Sequence, residues 1–195
     1  MTRFEQTEIF LIRHGETEWN VEERYQGRRD SPLTDRGCEQ SKHYGLWLSK
    51  MVRKPDTVYS SPLGRARQTE AILRPFLNAP TTRWDDRLQE VDFGSWTGIQ
   101  RADILTDPSN KHHGQGCSST RFGSPDGESL DAALCRAASW LGELEGTVIA
   151  VTHGLICRVI EAAYVGRPKQ AMEWSPLAHG TILHLKRGSA AHILL

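Results

Sequence analysis

Two apolar runs in this chain end in the same way. Residues Glu8–Arg13 read EIFLIR and give way to His14-Gly15, and Gly146–Thr152 read GTVIAVT and give way to His153-Gly154. A strand with one wet face alternates apolar and polar residues, so a nearly unbroken apolar run predicts a strand covered on both faces, as in a parallel sheet. Each of these strands delivers a histidine to its carboxyl end.

The segments between and after them alternate in kind. From Thr34 to Val52 the apolar positions Cys38, Tyr44, Leu48 and Met51 recur at helical spacing, and Pro55 ends the pattern. Asp56–Ser60 reads as a second strand. Ser-Ser-Pro follows, then a helix whose buried face is expected to be Ala66, Thr69, Ile72, Leu73, Phe76 and Leu77. Thr81–Trp84 reads as a further strand. Leu130, Ala133, Leu134, Ala137, Leu141 and Leu144 line one face of a later helix; Leu155, Ile156, Val159, Ile160 and Ala163 line the next, which Gly166 and Pro168 stop. Thr181–Lys186 and His192–Leu195 read as late edge strands. Alternating strands and helices predict an α/β fold, a three-layer α/β/α sandwich with a mostly parallel central sheet. The expected organisation is a single domain over residues 1–195. The segment at about 106–126, rich in Ser, Gly, His and Pro, has no periodicity and reads as a lid-like loop.

Composition narrows the partners. Lys plus Arg and Asp plus Glu both number 24, and no run of like charge occurs, so the charge footprint of a nucleic-acid or membrane-surface binder is missing. A small molecule is the expected partner, with the protein a monomer or homodimer. The four cysteines, Cys38, Cys117, Cys135 and Cys157, lack metal-site or disulfide-scaffold spacing and read as reduced thiols, Cys157 as core. Glu5 and Glu8 interrupt the N-terminal apolar residues and no cleavage site follows, which argues against a signal peptide. No stretch is long enough to span a bilayer, and the expected location is cytoplasmic.

In open parallel sheets, ligands bind outside the carboxyl ends of the strands. Three such ends converge on Arg13 and His14, on Arg65 in SSPLGRARQT, and on His153-Gly154. Two guanidinium forks with two imidazoles suit a tetrahedral oxyanion such as phosphate, and Gly154, opening a helix, offers backbone amides to the same anion. A neutral histidine among such cations can attack phosphorus. A departing alkoxide needs a proton, and Glu90 in LQEVDFGSWTG is placed to supply it.

The chain resembles the histidine phosphatase superfamily in its phosphoglycerate-mutase-like branch (branch 1). The resemblance rests on LIRHGETEWN, RYQGRRDSPLTDRG, SSPLGRARQT, LQEVDFGSWTG, SPDGES and VTHG, in the family's order. It implies that His14 is the nucleophile, forming a phosphohistidine. Arg13, Arg65 and His153 would grip the phosphoryl group, and Glu90 would act as general acid and then base. It further implies phosphate contact by Asn20 and substrate-mouth positions at Gln26 and Gly27. No metal and no cofactor are expected. Arg65 is preferred to Arg67 because it stands four residues before Thr69, as the family pattern does. His179 stands where family members often carry Asn.

Phosphatase and mutase share the phosphohistidine and differ in the acceptor. Family mutases carry a larger basic insertion and a covering C-terminal tail; the modest loop and short end here favour water, hence phosphatase activity on a small phosphomonoester. Phosphoglycerate mutase is the alternative, and a non-catalytic phosphate-ligand or partner-binding module the second. His112 and His113 read as solvated loop residues; His43, His184 and His192 have no partner legible in sequence. Trp19, Trp96 and Trp140 read as core.

Overall fold

The computed structural model describes residues 7–108, 122–168 and 176–195. In chain order the strands are β1 (Glu8–Arg13), β2 (Thr57–Ser60), β3 (Arg83–Trp84), β4 (Thr147–Thr152), β5 (Thr181–Lys186) and β6 (Ser189–Leu194). The helices are α1 (Glu18–Val21), α2 (Asp35–Met51), α3 (Gly64–Leu73), α4 (Arg101–Thr106), α5 (Leu130–Leu141) and α6 (Gly154–Val165). One six-stranded sheet runs β3-β2-β4-β1-β5-β6. The pairs β2/β3, β2/β4 and β1/β4 are parallel, and β1/β5 and β5/β6 are antiparallel. Chain and structure therefore agree on an α/β fold with a largely parallel sheet flanked by helices.

Alternation along β1 explains the two faces. Ile9 and Leu11 join one buried cluster with Ala133, Ala137 and Trp140 of α5 and Leu155, Val159 and Ile160 of α6. Phe10 and Ile12 join the other with Tyr44 and Leu48 of α2 and Ala66 and Leu73 of α3. Ile9, Leu11 and Ile12 have no exposed surface, which is worth about 1.5–3 kcal/mol per side chain in apolar burial. An apolar run without polar interruption is what a strand needs when both of its faces are covered. Cys157 is buried in the same core.

Several boundaries and faces differ from expectation. The strand read at Thr81–Trp84 is only Arg83–Trp84, at the sheet edge with both side chains exposed. Of the two late strands, β5 is interior, and the edge strand β6 begins at Ser189 rather than His192. Helix α3 ends at Leu73, because Pro75 converts the chain to a 3-10 turn over Arg74–Phe76; Ile72, Phe76 and Leu77 are only half-buried. The buried stripe of α2 is Gly37, Ser41, Tyr44, Gly45 and Leu48, while Met51 is exposed. Small residues win there because α2 lies close against its neighbours: a Cβ on Gly37 would stand 2.1 Å from Glu16 O, and one on Gly45 2.5 Å from the Phe76 ring. Trp96 and Trp140 are buried and Trp19 is half-buried. The non-periodic segment begins inside α4; residues 109–121, with His112, His113 and Cys117, lie outside the described residues. Among the described residues no helix is long and apolar enough to cross a membrane.

Candidate active site

Register brings the strand ends level. Arg13 pairs with Thr152, and Ser60 with Val151; one residue on, His14 N donates to Thr152 O and Ser61 N to Val151 O, each at 2.9 Å. Arg13, His14, His153 and Ser61 thus share one edge of the sheet. Helix α3 then returns Arg65, 1% exposed, to His14.

His14 is 2% exposed and its tautomer follows from its neighbours. Arg65 Nε–H lies 3.1 Å from His14 Nε2, and because that nitrogen of arginine can only donate, His14 Nε2 must carry a lone pair. The proton sits on Nδ1, which donates to Gly15 O at 2.7 Å. Burial, with Arg65, His153, Arg13 and His179 around it, holds the imidazole well below its ordinary pKa. The result is a neutral ring whose Nε2 lone pair faces the cations.

Each cation is itself held by the chain. Arg65 Nη1 donates to Arg29 O at 2.7 Å and to Asp30 Oδ1 at 2.9 Å, and Nη2 donates to Gly27 O at 2.8 Å. Asp30 also accepts from Gly64 N and Arg65 N, so it caps α3 in place of Leu63, which has no capping side chain. Arg13 donates through Nη1 to Leu177 O, and its buried Nε has no hydrogen-bond partner among the described residues. Burial lowers its pKa to about 10, against the opposing pull of Glu90. His153 lies with its ring 5.1 Å from that of His14, its Nε2 2.7 Å from Ser61 Oγ and its Nδ1 buried without a partner among the described residues. Burial, Arg65, Arg136 and Arg13 hold it well below its ordinary pKa.

Glu90 occupies the amino end of α6. Its Oε1 accepts from Val91 N at 3.0 Å and Ile156 N at 3.1 Å, and its Oε2 from Leu155 N at 3.2 Å. The amides expected at Gly154 to face an outside anion are thus, at Leu155 and Ile156, turned to the protein's own carboxylate. With two donors on Oε1 and one on Oε2, Oε2 keeps a lone pair to exchange a proton. Gly154 has a different use: a Cβ there would lie 2.8 Å from Pro176 Cβ and 3.1 Å from Arg13 Cζ, so its bareness admits the Arg13 guanidinium. Gly15 likewise acts through closeness rather than a turn conformation. Its Cβ would meet Gly37 O at 2.3 Å, and one on Gly37 would meet Glu16 O at 2.1 Å, so two glycines let α2 seat directly on the loop after His14.

Arg13, His14, Asn20, Gln26, Gly27, Arg65 and Glu90 line one narrow cleft open to solvent. Asn20 forms a capping box with Thr17, which occupies its Oδ1. Gln26 donates to Thr17 Oγ1 and leaves its buried Oε1 without a partner among the described residues. Gly27, at φ +55, contributes the carbonyl that holds Arg65 and touches the cleft only through its backbone. Arg67 is exposed, its guanidinium 5.0 Å over the Trp84 ring. His43 is exposed, His184 bonds Glu8, and His192 meets the buried Glu161. Among the described residues no group of three or more His, Cys, Asp or Glu side chains could hold a metal.

Sequence reasoning missed Ser61, Thr69, Asp30, Arg24, Arg101 and the placement of His179. Thr69 Oγ1 accepts from Gly15 N and donates to Arg65 O, tying the loop after β1 to α3. Ser61 and Asp30 lay inside quoted motifs and could have been found there. Arg24, the first residue of RYQGRRDSPLTDRG, also lay inside a quoted motif; Arg101 lines the cleft as well and carries no motif signal.

Two buried arginines, two neutral imidazoles and a carboxylate thus converge at one edge of the sheet. The histidine phosphatase superfamily (branch 1) matches residues 9–193. A Citrobacter koseri protein named Probable phosphoglycerate mutase GpmB is 34% identical over 175 residues, covering 84% of this chain and 77% of its own. The solved structure of Bacillus stearothermophilus YhfR is 30% identical with a TM-score of 0.78, covering 96% of each chain. A mycobacterial glucosyl-3-phosphoglycerate phosphatase, solved in complex with VO3, is 25% identical with a TM-score of 0.79 and the same coverage. The chain belongs to the histidine phosphatase superfamily, branch 1. Within that superfamily, a phosphatase assignment fits the solved relatives, and mutase is a name carried by curated ones.

Proposed function

We propose that this protein hydrolyses a small phosphomonoester through a phosphohistidine on His14. The observation that carries the reading is the His14 tautomer, a neutral imidazole whose Nε2 lone pair is turned to Arg65 and whose Nδ1–H is anchored on Gly15 O. Arg13, Arg65, His153 and Asn20 hold the phosphoryl oxygens, with Gln26 and Gly27 at the mouth. His14 Nε2 forms a bond to phosphorus as the bond to the ester oxygen breaks, and protonated Glu90 gives its proton to the departing alkoxide. Water then attacks phosphorus, Glu90 takes its proton, and the nitrogen–phosphorus bond breaks to release phosphate. Charge spread over the transferring oxygens is met by donors already in place, which is where such a site gains most of its rate. The chain works as a single domain, without metal or cofactor, on a small molecule in the cytoplasm.

Hydrolysis of a broad phosphoester panel, with His14→Ala as the blank, tests this. Turnover with acid-labile, alkali-stable phosphoryl label on the wild type, both lost in His14→Ala, is expected; label that survives the substitution refutes it. A second reading, phosphoglycerate mutase, is favoured by the names of the curated relatives. A coupled assay on monophosphoglycerates decides between them: phosphate release alone supports hydrolysis, and isomerisation stimulated by a bisphosphorylated acid supports the mutase. Stabilisation by phosphate with no hydrolysis anywhere in the panel would reduce the protein to a binding module.

A further inference from the structure

Beside the main cleft, and sharing Arg13, Asn20, Arg101 and Pro176 with it, lies a recess completed by Glu16 and His179. The His179 ring meets His14 edge-on with centroids 5.7 Å apart, so a third imidazole packs against the one read as the nucleophile. Its Nε2 is buried and has no hydrogen-bond partner among the described residues. A buried ring nitrogen in this state costs free energy unless something absent from the resting site satisfies it.

The backbone around His179 is fixed on both sides. Leu177 N donates to Gly154 O at 2.8 Å and Leu177 O accepts from Arg13, while Gly180 N donates to the Tyr44 hydroxyl at 2.8 Å and Gly180 O accepts from Leu195 N. Gly180 turns at φ +78, a conformation that suits glycine, and β5 begins at the next residue. The imidazole is therefore presented by the same backbone that holds Arg13. Burial, with Arg13, Arg36 and Arg101 nearby, takes its pKa down to about 2 and keeps the ring neutral. A neutral imidazole can donate from Nε2 to an anion without adding another cation to a crowded site.

We propose that His179 is a further substrate-contacting residue, its Nε2–H donating to an oxygen of the phosphoryl group seated against His14. This rests on the phosphoryl-transfer reading above and adds to it a contact made with the transferred group rather than with the leaving group. The test uses anions that have no leaving group. Binding of inorganic phosphate and orthovanadate is measured by calorimetry for the wild type, His179→Ala and His179→Gln, beside kcat/KM for p-nitrophenyl phosphate and for a phosphoglycerate. Losing a hydrogen bond to a charged group predicts about tenfold weaker anion binding in His179→Ala. The same factor should appear in kcat/KM for both esters, with partial recovery in His179→Gln, whose amide reaches the same place. Melting temperature and circular dichroism check that both variants fold. Anion binding equal to wild type in His179→Ala overturns the proposal, as does a loss confined to one ester or a His179→Gln variant no better than alanine. A wild type that neither binds the anions nor hydrolyses either ester overturns the parent reading; normal wild-type behaviour with an indifferent His179→Ala overturns this inference alone.

Discussion

Three histidines packed together in a neutral state should make this protein fall apart in mild acid. His14, His153 and His179 all have pKa values held below the ordinary range, chiefly by burial. When the folded pKa is depressed, the unfolded chain binds protons first, so stability is complete above the unfolded value of about 6.5 and is lost as pH falls below it. From pH 7.5 to 5.5 an unfolded histidine gains most of a proton that its folded counterpart refuses, a difference of about 1.4 kcal/mol for each ring. Three rings give about 4 kcal/mol, a large share of the roughly 5–15 kcal/mol that a domain has in total. Carboxylates, with unfolded values near 4, contribute little over that interval. Urea unfolding in phosphate-free buffer at pH 7.5, 6.5 and 5.5 measures it, since bound phosphate would bring its own linkage. The wild type should lose about 4 kcal/mol and His153→Asn about a third less. A wild-type change under about 1 kcal/mol over that range would show that the rings protonate in place, and the neutral-cluster argument would fail.

Two further outcomes follow from the packing around His14. Gly37→Ala should lower the melting temperature by well over 5 °C and reduce activity with it, because a Cβ at 2.1 Å from Glu16 O forces α2 off the loop that carries His14; an alanine at the exposed end of α2, Ser49→Ala, should change neither. Arg65→Lys removes the Nε–H on His14 and leaves Gly27 O or Arg29 O without its donor, at about 1–3 kcal/mol for each buried carbonyl unmet. Thermal unfolding and kcat/KM should both fall for Arg65→Lys and stay near wild type for Arg67→Lys.

Much of this was legible in the chain because it depends on local chemistry. The unbroken EIFLIR and TVIAVT runs identified interior strands, and the His-Gly that follows each marked the sheet edge where Arg13, His14 and His153 meet. What the chain could not show is contact between distant segments. The α2 stripe was misread because its partners are backbone and the Phe76 ring, so Gly37 and Gly45 outrank Cys38 and Met51, a preference no hydropathy pattern carries. The short β3 owes its limits to an edge position, with one neighbour strand to pair with. Asp30 looked like one charge among several in RYQGRRD, yet it caps α3 and holds Arg65 from across the fold. His179 showed only as a histidine where family members often carry Asn, since its place beside His14 comes from a backbone turn between distant segments.

The sheet order has a consequence for how such a protein comes into being. Strand β4 lies between β1 and β2, so β1 and β2, which bring His14 and Arg65, have no pairing with each other and wait for residues Thr147–Thr152 to arrive between them. On a ribosome delivering the chain from its amino end, His14, the proposed nucleophile, is made well before Thr147–Thr152 and stays without a pocket until that strand has followed. Contacts so far apart in sequence slow the closing step, and during that wait the apolar strand carrying Ile9, Leu11 and Ile12 is uncovered. A nascent chain of this design is inert toward phosphoesters and in need of protection from aggregation over the same interval, and both conditions end with the insertion of one strand.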